Sequence, residues 1–141
     1  MASISALGLD IGRRRVGVAG CDGTGLIATG LTTLQRRSFA DLVADLKTLV
    51  QARQVQVLVV GLPLTMNGEE GFQAKQVRKV ADGLAQALQL PVVYADERLS
   101  SVEAEQLMRA AGQSPATDKA LIDRKAAAII LQRWLDERRS S

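Results

Sequence analysis

The chain contains no histidine. Ser-His-Asp and Cys-His catalysis are thereby excluded, together with histidine-based zinc sites. Its single cysteine, Cys21, rules out an internal disulfide and any cysteine-cluster metal site. Cys21 reads instead as a small strand residue in a reducing compartment. Aromatic residues make up only 3% of the chain against 47% hydrophobic residues. The core must therefore come from Leu, Val, Ile and Ala, and stacking platforms of the RRM or OB type are disfavoured. No apolar run approaches the ~18 residues of a membrane span. Met1-Ala2-Ser3 lacks the basic start of a signal peptide, and strand-like alternation begins at once. The expectation is a cytoplasmic protein with no membrane partner.

What is present fits one domain over residues 1–141, a length that favours a single core. The net charge of +3 is mild, but the arginines cluster: Arg13-Arg14-Arg15, then Arg36-Arg37, then Arg138-Arg139. Each cluster is either a solvated surface or a contact for an anionic partner. Three short strands are predicted at about residues 4–11, 15–21 and 26–34. The turn signal Asp22-Gly23-Thr24-Gly25 separates the last two, so the three form an antiparallel meander. Ser38 and Asp41 look like a helix cap, followed by Leu42, Val43, Leu46, Leu49 and Val50 at helical spacing. Val55 to Val60 is a nearly continuous apolar run, typical of a strand buried on both faces in a parallel arrangement. Pro63 stops it and Asn67-Gly68 marks a turn. A second helix carries Val77, Val80, Ala81, Leu84 and Leu88, and a fifth strand covers 91–95. Ser100 and Glu103 form a capping box for a third helix to about Ala110, and a last helix covers about 119–138. The order is β-β-β-α-β-α-β-α-α, an α/β domain.

Asp10 lies within the apolar strand Leu7-Gly8-Leu9-Asp10-Ile11-Gly12. A buried carboxylate there is costly unless something compensates it, and a metal ion or a phosphate-metal complex is a usual compensation. Gly12 permits close backbone approach of a ligand, and Arg13, Arg14 and Arg15 supply charge for phosphate oxygens. The alternative is a hairpin whose Asp10 merely caps the turn. Asp96 and Glu97 leave the end of the fifth strand, where ligands gather in open α/β sheets; the alternative is helix-capping charge. Asp123 stands at helical spacing from Ala127, Ile130 and Trp134 and so projects from or beside a buried face. Its alternative is a structural pair with Arg124 or with an arginine across the helix. Ala126, Ala127 and Ala128 would let this helix lie close against the sheet. Three separated acids with no histidine and no cysteine cluster suit one chemistry: hard oxygen ligands for Mg²⁺ or Mn²⁺, completed by substrate phosphates.

Four stretches carry a family resemblance: Leu9-Asp10-Ile11-Gly12 with Arg15-Val16-Gly17-Val18-Ala19; Val60-Gly61-Leu62-Pro63-Leu64 with Asn67-Gly68; Asp96-Glu97-Arg98-Leu99-Ser100; and Ile122-Asp123-Arg124-Lys125-Ala126-Ala127. In this order they resemble the YqgF (RuvX) family of RNase H-like nucleases, over essentially the whole chain. The resemblance implies an RNase H-like fold with a five-stranded mixed sheet of order 3-2-1-4-5, its first three strands antiparallel, flanked by helices. It implies a metal-dependent endonuclease that matures the 5′ end of pre-16S rRNA during ribosome biogenesis, with ribosomal particles as possible partners. A Holliday-junction resolvase acting on branched DNA is the alternative. Carried over by motif, Asp10, Glu97 and Asp123 are the catalytic, metal-binding acids. RuvC-type enzymes place an acid at the end of strand four, where this chain reads Val60-Gly61-Leu62; Glu97 is the apparent replacement, and Asp96 is placed to share or take its role.

The expected mechanism is hydrolysis by two bridging ions roughly 3.5–4 Å apart, with Asp10 as their shared ligand. Arg13, Arg15 and Arg98 would steady flanking phosphates, with Arg14 in the same basic cluster, and Thr65 and Asn67 would touch the nucleic-acid backbone. Two competitors remain. The Asp-x-Gly hairpin also resembles the phosphate-binding turn of the actin, Hsp70 and sugar-kinase superfamily, but those proteins hold ATP between two such domains. A non-catalytic nucleic-acid-binding module on the same scaffold is the other.

Overall fold

The computed structural model describes residues 4–65, 67–96, 100–113 and 119–140, with the backbone alone at 100–103. Five strands and four helices follow in the expected order: β1 Ala6–Ile11, β2 Arg15–Cys21, β3 Ala28–Gln35, α1 Phe39–Arg53, β4 Val57–Leu62, α2 Phe72–Leu88, β5 Val92–Asp96, α3 Ser100–Ala110 and α4 Lys119–Ser140. The sheet order is β3-β2-β1-β4-β5. Pairings β1–β2 and β2–β3 are antiparallel, and β1–β4 and β4–β5 are parallel. The central strand β1 therefore joins the meander to the parallel half.

Alternation along the strands sends one set of side chains to each face of the sheet. Leu7, Leu9, Ile11, Val16, Val18, Leu58, Val60 and Leu62 pack under α1 and α2, against Leu42, Leu46, Val77, Ala81 and Leu84. Ala6, Ala19, Cys21, Val57 and Val59 face α4, against Ala127, Ile130, Leu131 and Leu135. Strand β4 is buried along its whole length, as its continuous apolar run demands. It starts two residues later than the run itself. Val55 and Gln56 instead donate their N–H groups to Val50 O and Ser5 O, closing the α1–β4 connection.

The local signals act as read. Ser38 Oγ accepts from Asp41 N at 3.1 Å, capping α1. Asp22 Oδ1 accepts from both Leu26 N and Ile27 N, shaping the turn between β2 and β3. Cys21 is buried in β2 with its Sγ 3.2 Å from Ile4 O. The Ser100–Glu103 capping box lies outside the described side chains. No described helix is long and apolar enough to cross a membrane.

Helix α4 is tied along the meander. Thr33 Oγ1 donates to Ala120 O at 2.6 Å, and Gln132 accepts from Ala28 N while donating to Leu26 O, both at 2.8 Å. The helix runs close because the sheet beneath it has little bulk. A Cβ built on Gly8 would stand 2.7 Å from Leu131 Cβ and 2.8 Å from Ala127 O. On Gly17 it would fall 2.0 Å from the carbonyl oxygen of Asp123. The alanines of α4 supply half of this close approach, and the glycines of β1 and β2 supply the other half.

Candidate active site

Asp10 is the penultimate residue of the central strand, half-buried, and the register pairs it with Gly17 of β2. It follows Ala6 and Gly8 on the face covered by α4. The α4 backbone is lowest over β2 at Gly17, and the residue seated there is Asp123. The two carboxylates, distant in sequence, thus line one cleft of about 420 Å³. Arg13, Arg36, Gln73 and Gln76 line the same cleft. Its floor is the end of the central strand, and its walls are the β1–β2 turn, α2 and the start of α4.

The arginine triplet does not act as a unit. Arg13 and Arg14 are exposed. Arg15 turns inward: its Nε donates to Asp123 Oδ2 at 2.6 Å, and the two side chains are 28% and 21% exposed. Of the two alternatives for Asp123, the arginine partner exists, but it comes from β2 and not from the helix. The pair and the cleft coexist, since Asp123 lines the cleft while Arg15 is not among the lining residues. Arg36 is a further cation at the cleft. Its Nη1 donates to Gly12 O at 2.7 Å and its N–H to Arg14 O at 2.8 Å, which ties the end of β3 to the β1–β2 turn.

Thr65 and Asn67 are exposed beyond β4 and are engaged with their own loop. Thr65 Oγ1 donates to Asn67 Oδ1 at 3.0 Å and accepts from Glu69 N at 3.1 Å. It is Pro63 and Leu64 that reach the cleft. Asp96 closes β5 and lines a separate depression with Leu62, Tyr94 and Arg78. In that depression Tyr94 donates its hydroxyl to Asp82 at 2.8 Å, and Arg78 lies 4.4 Å from the centre of the ring. Partial burial, reinforced by the bond to Asp82, pushes the Tyr94 phenol up to about 12. Glu97 and Arg98, both expected at the site, lie outside the described residues. Among the described residues no three acids or cysteines stand together as a metal site. Asp10 and Asp123 are the two expected site acids that share a cleft among the described residues, while Asp96 shares its depression with Glu69 and Glu70.

Sequence reasoning overlooked Gly17, Gln73 and Gln76 as site residues and ranked Arg36 behind the triplet. Gly17 did carry a signal: a glycine inside a strand marks close approach of another backbone. The glutamines carried none, because their position depends on how α2 packs.

A five-stranded mixed sheet of order β3-β2-β1-β4-β5 flanked by helices is the RNase H-like fold shared with solved RuvC-type structures. RuvC from Thermus thermophilus superposes with a TM-score of 0.59 at 15% identity, over 97% of each chain. Fowlpox virus resolvase, solved with Holliday junction DNA, gives 0.57 at 9% identity, over 96% of this chain and 99% of that one. At such identities the likeness concerns the fold alone. The RuvX family, described as Holliday junction resolvase, matches residues 4–137, and the chain belongs to it. A Trichormus variabilis protein named "Putative pre-16S rRNA nuclease" is 64% identical over 138 residues, covering 98% of this chain and 91% of its own. A Crocosphaera subtropica protein of the same name is 59% identical over 141 residues, covering 100% and 99%. The chain is accordingly a nuclease of the RuvX family.

Proposed function

We propose that the chain is an endonuclease that hydrolyses a phosphodiester bond of precursor 16S rRNA, in the cytoplasm and on ribosomal precursor particles. Asp10, Asp123 and Glu97 would be its catalytic acids. The observation that carries this reading is the convergence of Asp10 and Asp123 on one cleft flanked by Arg13 and Arg36. Carboxylates bring hard oxygen donors, and the arginines bring groups that pair with phosphate oxygens. The donor set thus fits Mg²⁺ or Mn²⁺ held between protein and substrate, with Asp10 and Asp123 as ligands and Glu97 as the third by motif. A divalent ion supplies a water of lowered pKa and charge stabilisation for the leaving oxygen.

The rest falls to the chain. Asp10, on the central strand, gives the most rigid support in the fold. Arg13, Arg14 and Arg98 steady the flanking phosphates, and Arg36 adds positive charge while holding the turn. Thr65 and Asn67 present a polar rim to the backbone of the nucleic acid. Such contacts position a substrate without reading its bases.

The family's description favours branched DNA as a second substrate. One experiment separates the two. Purified protein is incubated with precursor 16S rRNA and with four-way DNA junctions, in Mg²⁺ or Mn²⁺, beside an Asp10→Asn control. Cleavage at the 5′ end of the rRNA precursor that Asp10→Asn loses supports the proposal. Junction cleavage alone transfers the activity to DNA, and equal cutting by Asp10→Asn removes the site.

A further inference from the structure

Arg15 and Gly17 stand two apart in β2, on the face that α4 covers, and both meet Asp123. Gly17 receives its backbone, where any Cβ would lie 2.0 Å from the carbonyl oxygen and 2.4 Å from the carbonyl carbon. Arg15 receives its side chain, through Nε–H to Oδ2 at 2.6 Å. Gly17 is also the cross-strand partner of Asp10. One short stretch of β2 therefore touches the helix acid twice and sits beside the strand acid. Among the described residues Arg15 is the partner of the Asp123 carboxylate, and it engages one oxygen of the two.

We propose that Arg15 and Gly17 are positioning residues that set Asp123 against Asp10. Arg15 then acts through Asp123 and not as a phosphate contact. The inference rests on the metal-site reading above and adds a role that motif resemblance does not assign. The physical logic is that of an outer-shell partner. A carboxylate held by a charged hydrogen bond on one oxygen has a fixed plane, and its other oxygen is aimed without further loss of freedom. Gly17 fixes the other end of the same residue, since a helix lifted from β2 carries Asp123 away from Asp10.

The sign of one effect makes this testable. Arg15 is a cation beside a cation site, so on charge alone its removal strengthens binding of a divalent ion. Positioning predicts the reverse. Mn²⁺ affinity of the nucleic-acid-free protein is measured by electron paramagnetic resonance for the native chain and for Arg15→Gln, Arg15→Lys, Arg13→Gln, Gly17→Ala and Gly8→Ala. Arg15→Gln is expected to weaken Mn²⁺ binding about 10- to 100-fold, the usual cost of losing an outer-shell partner. Arg15→Lys recovers part of that loss. Arg13→Gln, which removes one positive charge that lines the cleft without touching Asp123, leaves affinity unchanged or raised. Gly17→Ala weakens binding more than Gly8→Ala, whose Cβ would press on Ala127 and Leu131, one and two turns along α4 from Asp123. If Gly17→Ala does not fold, the arginine set decides alone.

Tighter or unchanged Mn²⁺ binding in Arg15→Gln overturns the inference while leaving the site intact. Asp10→Asn and Asp123→Asn are run alongside to keep the two failures apart. If neither of them weakens Mn²⁺ binding, it is the metal-site reading that has failed.

Discussion

The two faces of the sheet solve different problems. The face under α1 and α2 is filled with Leu and Val, and these helices stand off at the distance that such side chains impose. The face under α4 carries Ala6, Gly8, Asp10, Gly17 and Ala19, and α4 meets it with Ala126 and Ala127. Bulk on the first face yields apolar burial, the dominant favourable term of folding. Its absence at Gly8 and Gly17 on the second brings a helix backbone onto β1 and β2, so that an acid on one element comes to line the same cleft as an acid on the other. Large side chains fill the α4 face too, where Val57 and Val59 meet Ile130, Leu131 and Leu135, and the candidate site lies where small residues bring the helix down.

The strongest way to break this comparison is to replace Asp10. Asp10→Asn should leave the circular dichroism spectrum and melting behaviour native-like. Metal-dependent cleavage should fall by about a hundredfold or more, the several kcal/mol that a metal site contributes to a transition state. Wild-type cleavage by this variant would separate the α4 face from function.

Truncation on the opposite face should do the converse. Leu58 and Leu84 are fully buried there. Leu58→Ala or Leu84→Ala should cost about 2–5 kcal/mol by urea denaturation, with activity per folded molecule unchanged. A large loss of activity in fully folded Leu84→Ala would show that the faces are not separable.

The basic turn offers a smaller effect. Replacing exposed Arg13 and Arg14 with Ala should weaken nucleic-acid binding without changing sequence preference. The slope of log K against log salt should flatten by up to about 0.9 per lost contact on duplex DNA, or about 0.7 on single strands. An unchanged slope would move the binding face elsewhere, with Arg36-Arg37 next in line.

The smallest effect lies away from the cleft, at Tyr94. Its phenol is raised from 10.0 to about 12 in the folded chain. The folded state then holds a proton that the unfolded state has already released. The stabilisation is complete below pH 10 and is lost as pH rises towards 12. Tyr94→Phe should lose this part of the alkaline slope in a pH series of denaturation curves, and an identical slope would show that the phenol is not raised in the folded chain.

Much of this was legible from residue patterns. Period-2 and period-3.6 patterns are local, so the strand and helix order, the Ser38 cap and the buried stripe of α2 could be read directly. Asp10 and Asp123 showed themselves as carboxylates placed among apolar neighbours. The Arg15–Asp123 pair did not, because it joins residues 108 apart in sequence. A run of three arginines gives no sign of which one turns inward; the alternation of β2 decides it, by placing Arg15 on the Gly17 face. Gln73 and Gln76 became cleft residues only through the packing of α2, and Asp96 went to another depression.

The most direct test of the central claim is a double-mutant cycle on stabilisation by Mn²⁺. Chemical denaturation is followed in EDTA and in Mn²⁺ for the native chain, Asp10→Asn, Asp123→Asn and the double variant. In EDTA, Asp123→Asn should cost no more than about 1 kcal/mol, because its pair with Arg15 is partly exposed. In Mn²⁺, each single variant should lose most of the native stabilisation and the double variant little more, since both acids hold the same ion. Independent, additive losses, or full Mn²⁺ stabilisation in either single variant, would show that Asp10 and Asp123 share a cleft without forming one site.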